Sequence, residues 1–343
     1  MIALYILALL ACFVLLARVV DLFFISSLDK ISKDLRLSSD AAGATLMAVG
    51  SSAPELFVAL FAVLKPGEHQ VIGIGSIVGS AIFNLLVIVG AAALVRKAEL
   101  VKQPVIRDLI FYATAVALLV YFIWDGKLTF FESAIFLVVY IFYVVAVVYW
   151  RRWFPYEDKT FEGEHEPECN KKGIIGIFDV TLCFIFPKAE RYYLVFFFSI
   201  MIIAALSWAL VELAVLVSEG LGISEAIIAL TVIAVGTSVP DLFSSLIVAR
   251  QGRGEMAVSN AVGSNIFDIL VGLGLPFLIV MMISGGSIDA GGNLISSTII
   301  LSASVVLIVL LLLFNKWKVG KFTGVVLLTA YVFYVAYEII KIQ

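Results

Sequence analysis

The sequence predicts an all-α, polytopic membrane protein whose ten transmembrane helices form two inverted five-helix repeats. Three observations predict it. Hydrophobic residues fill 62% of the 343 positions and charged residues only 14%, whereas a soluble globular chain carries about a quarter charged residues. Ten apolar stretches are long enough, at roughly 20 residues each, to cross about 30 Å of hydrocarbon as helices. Two polar blocks inside those stretches recur in the second half of the chain.

The stretches lie near 3–27, 41–64, 70–95, 106–124, 129–150, 192–218, 225–249, 256–283, 294–314 and 321–340. The first begins at Met1 with no basic region ahead of it and no small-residue cleavage site, so it reads as a retained helix rather than a signal peptide. Its Arg18 and Asp21 stand one turn apart and are expected to pair. Glu212, the counterpart of Asp21 in the second half, has no adjacent arginine. The connections are short except for 151–191, which divides the chain into a first repeat (1–150), a linker (151–191) and a second repeat (192–343). The linker carries Glu157, Asp158, Glu162, Glu164, Glu166 and Glu168. Those carboxylates lack the spacing of a known calcium loop, and the stretch reads as a solvated linker followed by an interfacial turn or helix at 173–178.

Ten crossings put both termini on one side. The alternate loops 28–40, 96–107, 151–191, 250–253 and 315–321 hold 19 of the 23 Lys and Arg residues, and the opposite set of loops and termini holds Lys65, Lys127 and Lys341. Positive residues stay cytoplasmic, so the termini are expected outside the cell. The net charge of −3 implies no nucleic-acid partner. Cys12, Cys169 and Cys183 lack metal-site spacing, and His69 and His165 fall in loops. No prosthetic group and no obligatory protein partner is implied.

The repeat is explicit. TLMAVGSSAPE (45–55) aligns without a gap on TVIAVGTSVPD (231–241), and IVGSAIFN (77–84) aligns on AVGSNIFD (261–268). Five predicted helices separate the copies, so the second enters the membrane from the opposite side, as in many secondary transporters. Each copy interrupts its second helix with glycine, two hydroxyls and proline. Proline removes a backbone donor, which is expected to free carbonyls near Ala48 and Ala234 for another partner such as a cation.

Glu55, Asp241 and Asp268 lie inside apolar spans, where each charge costs at least ~2.5–3.5 kcal/mol. Such residues point inward and mark ion paths. The alignment makes Glu55 equivalent to Asp241 and Asn84 equivalent to Asp268. Helical spacing of three and four places Ser51 and Ser52 beside Glu55, Thr237 and Ser238 beside Asp241, Ser80 beside Asn84, and Ser264 beside Asp268. Carboxylate, hydroxyl, amide and carbonyl oxygens without nitrogen or sulfur donors select hard cations: calcium, sodium and potassium. One divalent and one monovalent cation would cancel three negative charges.

AVGSSAPE (48–55) and AVGTSVPD (234–241) resemble the alpha repeats of the cation/calcium exchanger superfamily. SNAVGSNIFDILVGLGLP (259–276) is similar to its potassium-dependent sodium/calcium branch. The two repeats cover about a hundred residues, and the ten-span layout covers the rest. The resemblance implies that Glu55 and Asp241 ligate calcium and share sodium, with Ser51, Ser52, Thr237, Ser238 and the carbonyls of Ala48 and Ala234 completing the sites. Ser80, Asn84, Ser264 and Asp268 would form the other half of a diamond of binding positions. An aspartate at position 268 goes with potassium transport in that branch, and the first and sixth helices slide to alternate access. One departure is local: the first copy has Gly79-Ser80-Ala81 where the second has Gly263-Ser264-Asn265. The long regulatory calcium-binding domains of animal sodium/calcium exchangers are absent.

The resemblance implies a sodium/calcium antiporter of the cell membrane, with the lipid bilayer and inorganic cations as its expected partners. Three other classes fit less well. A proton/calcium exchanger needs none of the hydroxyl ligands. A cation channel would show flux without a counter-ion. An intramembrane aspartyl protease would leave Glu55 unexplained, and neither Asp241 nor Asp268 follows a Gly-x-Gly pattern.

Overall fold

The computed structural model describes residues 2–34, 48–67, 69–154, 173–188, 190–250, 252, 254–289 and 294–340. The start of the second predicted span (41–47) and the acidic stretch 157–168 lie outside them. Eight of the described helices are long and apolar enough to cross a membrane: α1 (Ile2–Leu28), α4 (Gln70–Val95), α5 (Lys102–Phe122), α6 (Phe130–Trp150), α8 (Tyr192–Leu221), α10 (Gly254–Ser284), α11 (Ile295–Phe314) and α12 (Lys321–Ile340). Two shorter pieces, α2 (Ala48–Ser51) and α3 (Ala53–Leu64), occupy the place of the second predicted span. The seventh is α9 (225–250), whose apolar part runs from Glu225 to Val239. The linker contributes α7 (Gly173–Ile185).

Local chemistry sets the ends of these helices. Thr129 and Glu132 form a reciprocal capping box at the start of α6, which satisfies donors that lipid could not. Gly222, at φ 67°, ends α8 in the left-handed conformation that glycine adopts without penalty. One expectation needs correction. The fourth span starts at Lys102, so Arg107 is not a loop residue; it is buried in α5, where its Nε donates to Asp108 at 2.8 Å. Sequence order alone hid this, because an arginine that close to a helix start normally reaches the headgroups.

Some contacts of the first half recur at matching places in the second. Four two-residue strands link the loops: β1 (Ala98–Glu99) pairs with β4 (Lys318–Val319), and β2 (Lys127–Leu128) pairs with β3 (Ile288–Asp289). By their order along the chain after the aligned third helices, β1 corresponds to β3 and β2 to β4, so one pairing is the image of the other. Aromatic packing repeats the exchange. Phe83 of α4 meets Tyr331 of α12 edge-on at 5.6 Å, and its equivalent Phe267 of α10 meets Tyr140 of α6 edge-on, also at 5.6 Å. Polar ties between loops keep the same sidedness. His69 Nδ1 bonds Glu225 in the first turn of α9 at 2.9 Å, and Lys65 at the end of α3 pairs with Glu212 inside α8. On the other face Tyr192 and Tyr193 donate to Asp34, which follows α1. Each strand pair thus joins a loop of the first half to a loop of the second.

At the centre, α4 and α10 are the most enclosed of the long helices, while α1 packs largely against α8 at the periphery. Close approach at the centre depends on Gly79. A Cβ there would collide with the Leu230 carbonyl and lie 2.7 Å from the Ala234 Cβ of α9. Arg18 makes its expected pair with Asp21 at 3.1 Å, and also grips Asp179 of α7 with two bonds of 2.7 Å. The linker helix is thereby clamped to α1.

Candidate cation site

The polar residues singled out by the repeat converge where α2, α3 and α9 meet α4 and α10. Ser51, Ser52, Glu55, Ser80, Asn84, Thr237, Ser238, Asp241, Ser264 and Asp268 are each at most 4% exposed. Helical geometry puts them there: the carboxylates and hydroxyls share the inward face three and four residues apart, and lipid excludes them from the outward one.

The halves interlock by exchanging hydroxyls. Ser80 Oγ of the first half bonds Ser238 Oγ of the second at 2.7 Å, and Ser51 Oγ bonds Ser264 Oγ at 3.0 Å. Ser238 Oγ also donates to Glu55 Oε1 at 3.3 Å. Glu55 faces Thr237 and Ser238, Asp241 faces Ser51 and Ser264, and Asp268 faces Ser52 and Ser80. The three carboxylates lie within electrostatic reach of one another. Among the described residues, no ion pair with a basic side chain involves Glu55 or Asp268.

Ser52 Oγ, Glu55 Oε2, Asn84 Oδ1 and both carboxylate oxygens of Asp268 are buried without any hydrogen-bond partner. Among the described residues only three other buried side-chain atoms share that condition, so the shortfall is concentrated here. Leaving a buried acceptor unsatisfied costs about 1–3 kcal/mol, more when it is charged. Five such oxygens facing one region match the donor set of hard cations. Among the described residues no three His, Cys, Asp or Glu side chains are close enough to hold a single ion. The acidic groups are spread over neighbouring positions, with hydroxyls and amides between them.

The backbone around the site differs from the sequence expectation. The first half is interrupted at Ser52 (φ −93°, ψ 5°), between α2 and α3, with Pro54 in the first turn of α3. The second half is not interrupted at the matching place: α9 runs on through Pro240, and its irregularity is a π-helical turn at Ala229–Ile233. The Ala48 carbonyl is not freed, because it accepts the Ser52 amide at 3.0 Å, and the Ala234 carbonyl receives the Thr237 hydroxyl at 3.4 Å. The reason is geometric: the missing proline donor orphans the carbonyl four residues back, which is Gly50 or Gly236. The hydroxyl contacts on the two carbonyls, Ser51 on Ala48 and Thr237 on Ala234, are both long at 3.4 Å. In both halves a further π-helical turn opens at the third-helix site residue, Asn84–Ile88 in α4 and Asp268–Leu273 in α10. Such bulges sit often at functional positions.

The family model described as "Sodium/calcium exchanger protein" matches residues 5–149 and 191–340. The chain belongs to that family. It is 31% identical to human sodium/potassium/calcium exchanger 5, over 96% of this chain and 81% of that protein. It is 28% identical to human sodium/potassium/calcium exchanger 4, over 98% and 81%. Its fold matches the sodium-calcium exchanger NCX_Mj at a TM-score of 0.62 and 25% identity, over 98% of this chain and 99% of that one. The family is one of membrane ion exchangers, not of enzymes, and this member is a multi-pass membrane protein that moves cations.

Two participants in this exchanger's site were not anticipated from the motifs. Asn265 accepts from Asn84 Nδ2 at 3.0 Å and donates to the Ala81 carbonyl and to Tyr112 Oη, each at 3.0 Å. The signal for Asn265 was present, since it is the polar replacement of Ala81 in the aligned block. Nothing in the sequence pointed to Tyr112, one of two tyrosines in an apolar span. A separate buried network joins Arg107, Asp108 and Tyr143, whose hydroxyl donates to Asp108 at 3.2 Å. Glu212 is accounted for by its pair with Lys65.

Proposed function

We propose that this chain is a secondary antiporter that drives calcium across the cell membrane against sodium, with potassium travelling alongside calcium. The observation that carries this reading is the set of five partnerless buried oxygens on Ser52, Glu55, Asn84 and Asp268. Glu55 and Asp241, one from each repeat, take calcium between them and accept sodium in the alternate load. Ser51, Ser52, Thr237 and Ser238, with the Ala48 and Ala234 carbonyls, complete those positions. Ser80, Asn84, Ser264 and Asp268 form the remaining side, and Asp268 supplies the charge for potassium. The names of the relatives support the potassium component.

Both cations need the same carboxylates, so binding is competitive, and that competition makes the device an exchanger rather than a leak. Sliding of α1 and α8 past the remainder alternates access; their peripheral packing, against each other more than against the centre, supports this. The repeats comprise 1–150 and 192–343, joined by the cytoplasmic linker 151–191, with both termini extracellular. Unbalanced charge movement makes the rate voltage-dependent by about 2.3 kcal/mol per charge per 100 mV.

The test is calcium-45 uptake into proteoliposomes at fixed pH, with sodium, potassium and protons varied one at a time. Uptake is expected only with an opposing sodium gradient, and potassium is expected to stimulate it. Uptake driven by a proton gradient without sodium would establish a proton/calcium exchanger instead, and flux without any counter-ion would establish a channel.

A further inference from the structure

An asparagine ligand poses an orientation problem. Its oxygen and NH2 ends are nearly equal in size, yet one attracts a cation and the other repels it. In this protein the choice is made at a distance from the ion. The Ala81 carbonyl can only accept, so the Asn265 NH2 group must face it. The second hydrogen of that NH2 goes to Tyr112 Oη. Asn265 Oδ1 is thereby turned to Asn84, which must present its own NH2 group, bonded there at 3.0 Å and touching Ser80 Oγ at 3.5 Å. Only then does Asn84 Oδ1 face the site, buried and partnerless.

We propose that Tyr112, acting through Asn265, is a positioning residue that keeps the Asn84 carbonyl turned toward the cation site. Tyr112 is fully buried in α5, on an element that carries none of the repeated motifs. Its hydroxyl accepts from Asn265, which lies three residues before Asp268 on α10. Without that hydroxyl, one hydrogen of the Asn265 NH2 group loses its acceptor, and only the Ala81 carbonyl still holds the pair of amides in this orientation. The arrangement belongs to one half only: the first repeat has Ala81 where the second has Asn265. The neutral amide carbonyl serves a monovalent cation, so sodium binding should suffer more than calcium binding.

This inference rests on the reading of Asn84 as an oxygen ligand, and the experiment separates the two. The full chain is reconstituted in proteoliposomes, and half-saturating sodium and calcium and the maximal rate are measured for Tyr112→Phe, Asn84→Ala and Tyr143→Phe. Tyr112→Phe is expected to raise half-saturating sodium about fivefold to tenfold, the cost of one unsatisfied buried donor, with calcium affinity and maximal rate within about twofold. Tyr143→Phe, which removes an equally buried hydroxyl bonded to Asp108, is expected to leave both half-saturations unchanged. In an Asn84→Asp background both ends of the side chain are oxygen, so adding Tyr112→Phe is expected to shift nothing further. If Tyr112→Phe is not recovered folded, Asn265→Ala, which restores the first repeat's residue, should produce the same sodium shift. Unchanged sodium affinity in Tyr112→Phe, or an equal loss in Tyr143→Phe, while Asn84→Ala does shift it, overturns the positioning role alone. No shift in Asn84→Ala removes the ligand reading and the inference together.

Discussion

The two repeats can be laid over one another through Phe83–Tyr331 and Phe267–Tyr140, whose ring separations agree at 5.6 Å, yet their buried polar residues have diverged. In the first half the third helix offers neutral Asn84, and the fourth and fifth helices bury the Arg107–Asp108–Tyr143 network. In the second half the third helix offers charged Asp268. Its fourth and fifth helices, α11 and α12, bury Ser297, which donates to Glu338 at 2.7 Å beside Tyr334. The two halves therefore share this aromatic contact between third and fifth helices while their buried polar groups differ. An exchanger that handles unlike cations needs that asymmetry, because a strictly two-fold cage would offer identical charge on both sides.

The comparison can be broken most severely at the pair that remains equivalent. Glu55→Gln or Asp241→Asn should each lower sodium-driven calcium-45 uptake more than a hundredfold, while the protein still inserts and elutes as a folded species from size exclusion. Retained exchange in either variant would remove the shared-carboxylate reading. The next largest effect falls on stability. Asp108→Ala takes away the acceptor of both Arg107 and Tyr143 and should cost about 3–5 kcal/mol. Ser297→Ala at the corresponding place in the other half should cost only about 1–2 kcal/mol. Thermal unfolding in detergent measures both, and equal losses would show that the two buried networks are interchangeable after all. The mildest substitution sharpens the asymmetry directly. Asp268→Asn copies Asn84 into the second half; potassium stimulation should disappear while sodium/calcium exchange persists within about threefold, and undiminished stimulation would assign potassium elsewhere.

Much of the site was legible because lipid makes polar residues conspicuous. A carboxylate inside an apolar span has few places to go, and finding Glu55 and Asp241 at matching positions of a repeat left one of those places. The hydroxyl neighbours followed from helical spacing. The local backbone was harder to read, because a proline's effect depends on which carbonyl it abandons and what else is near. Pro54 sits in the first turn of a new helix, whereas Pro240 lies inside a helix that continues.

By itself the sequence determined the membrane class, the two-fold plan, the convergence of three acidic side chains and the all-oxygen chemistry. These follow from hydropathy, spacing and repetition, which are properties of order along the chain. Tertiary structure decided what depends on neighbours distant in the chain: that hydroxyls are exchanged between halves, that Arg107 is buried against Asp108 rather than reaching the headgroups, and that Asn84 is oriented by Asn265 and Tyr112. The physical reason is that hydrogen-bond direction and burial are set by the partner as much as by the residue. Asn84 and Tyr112, 28 positions apart in sequence, are joined only through a third side chain from the other repeat.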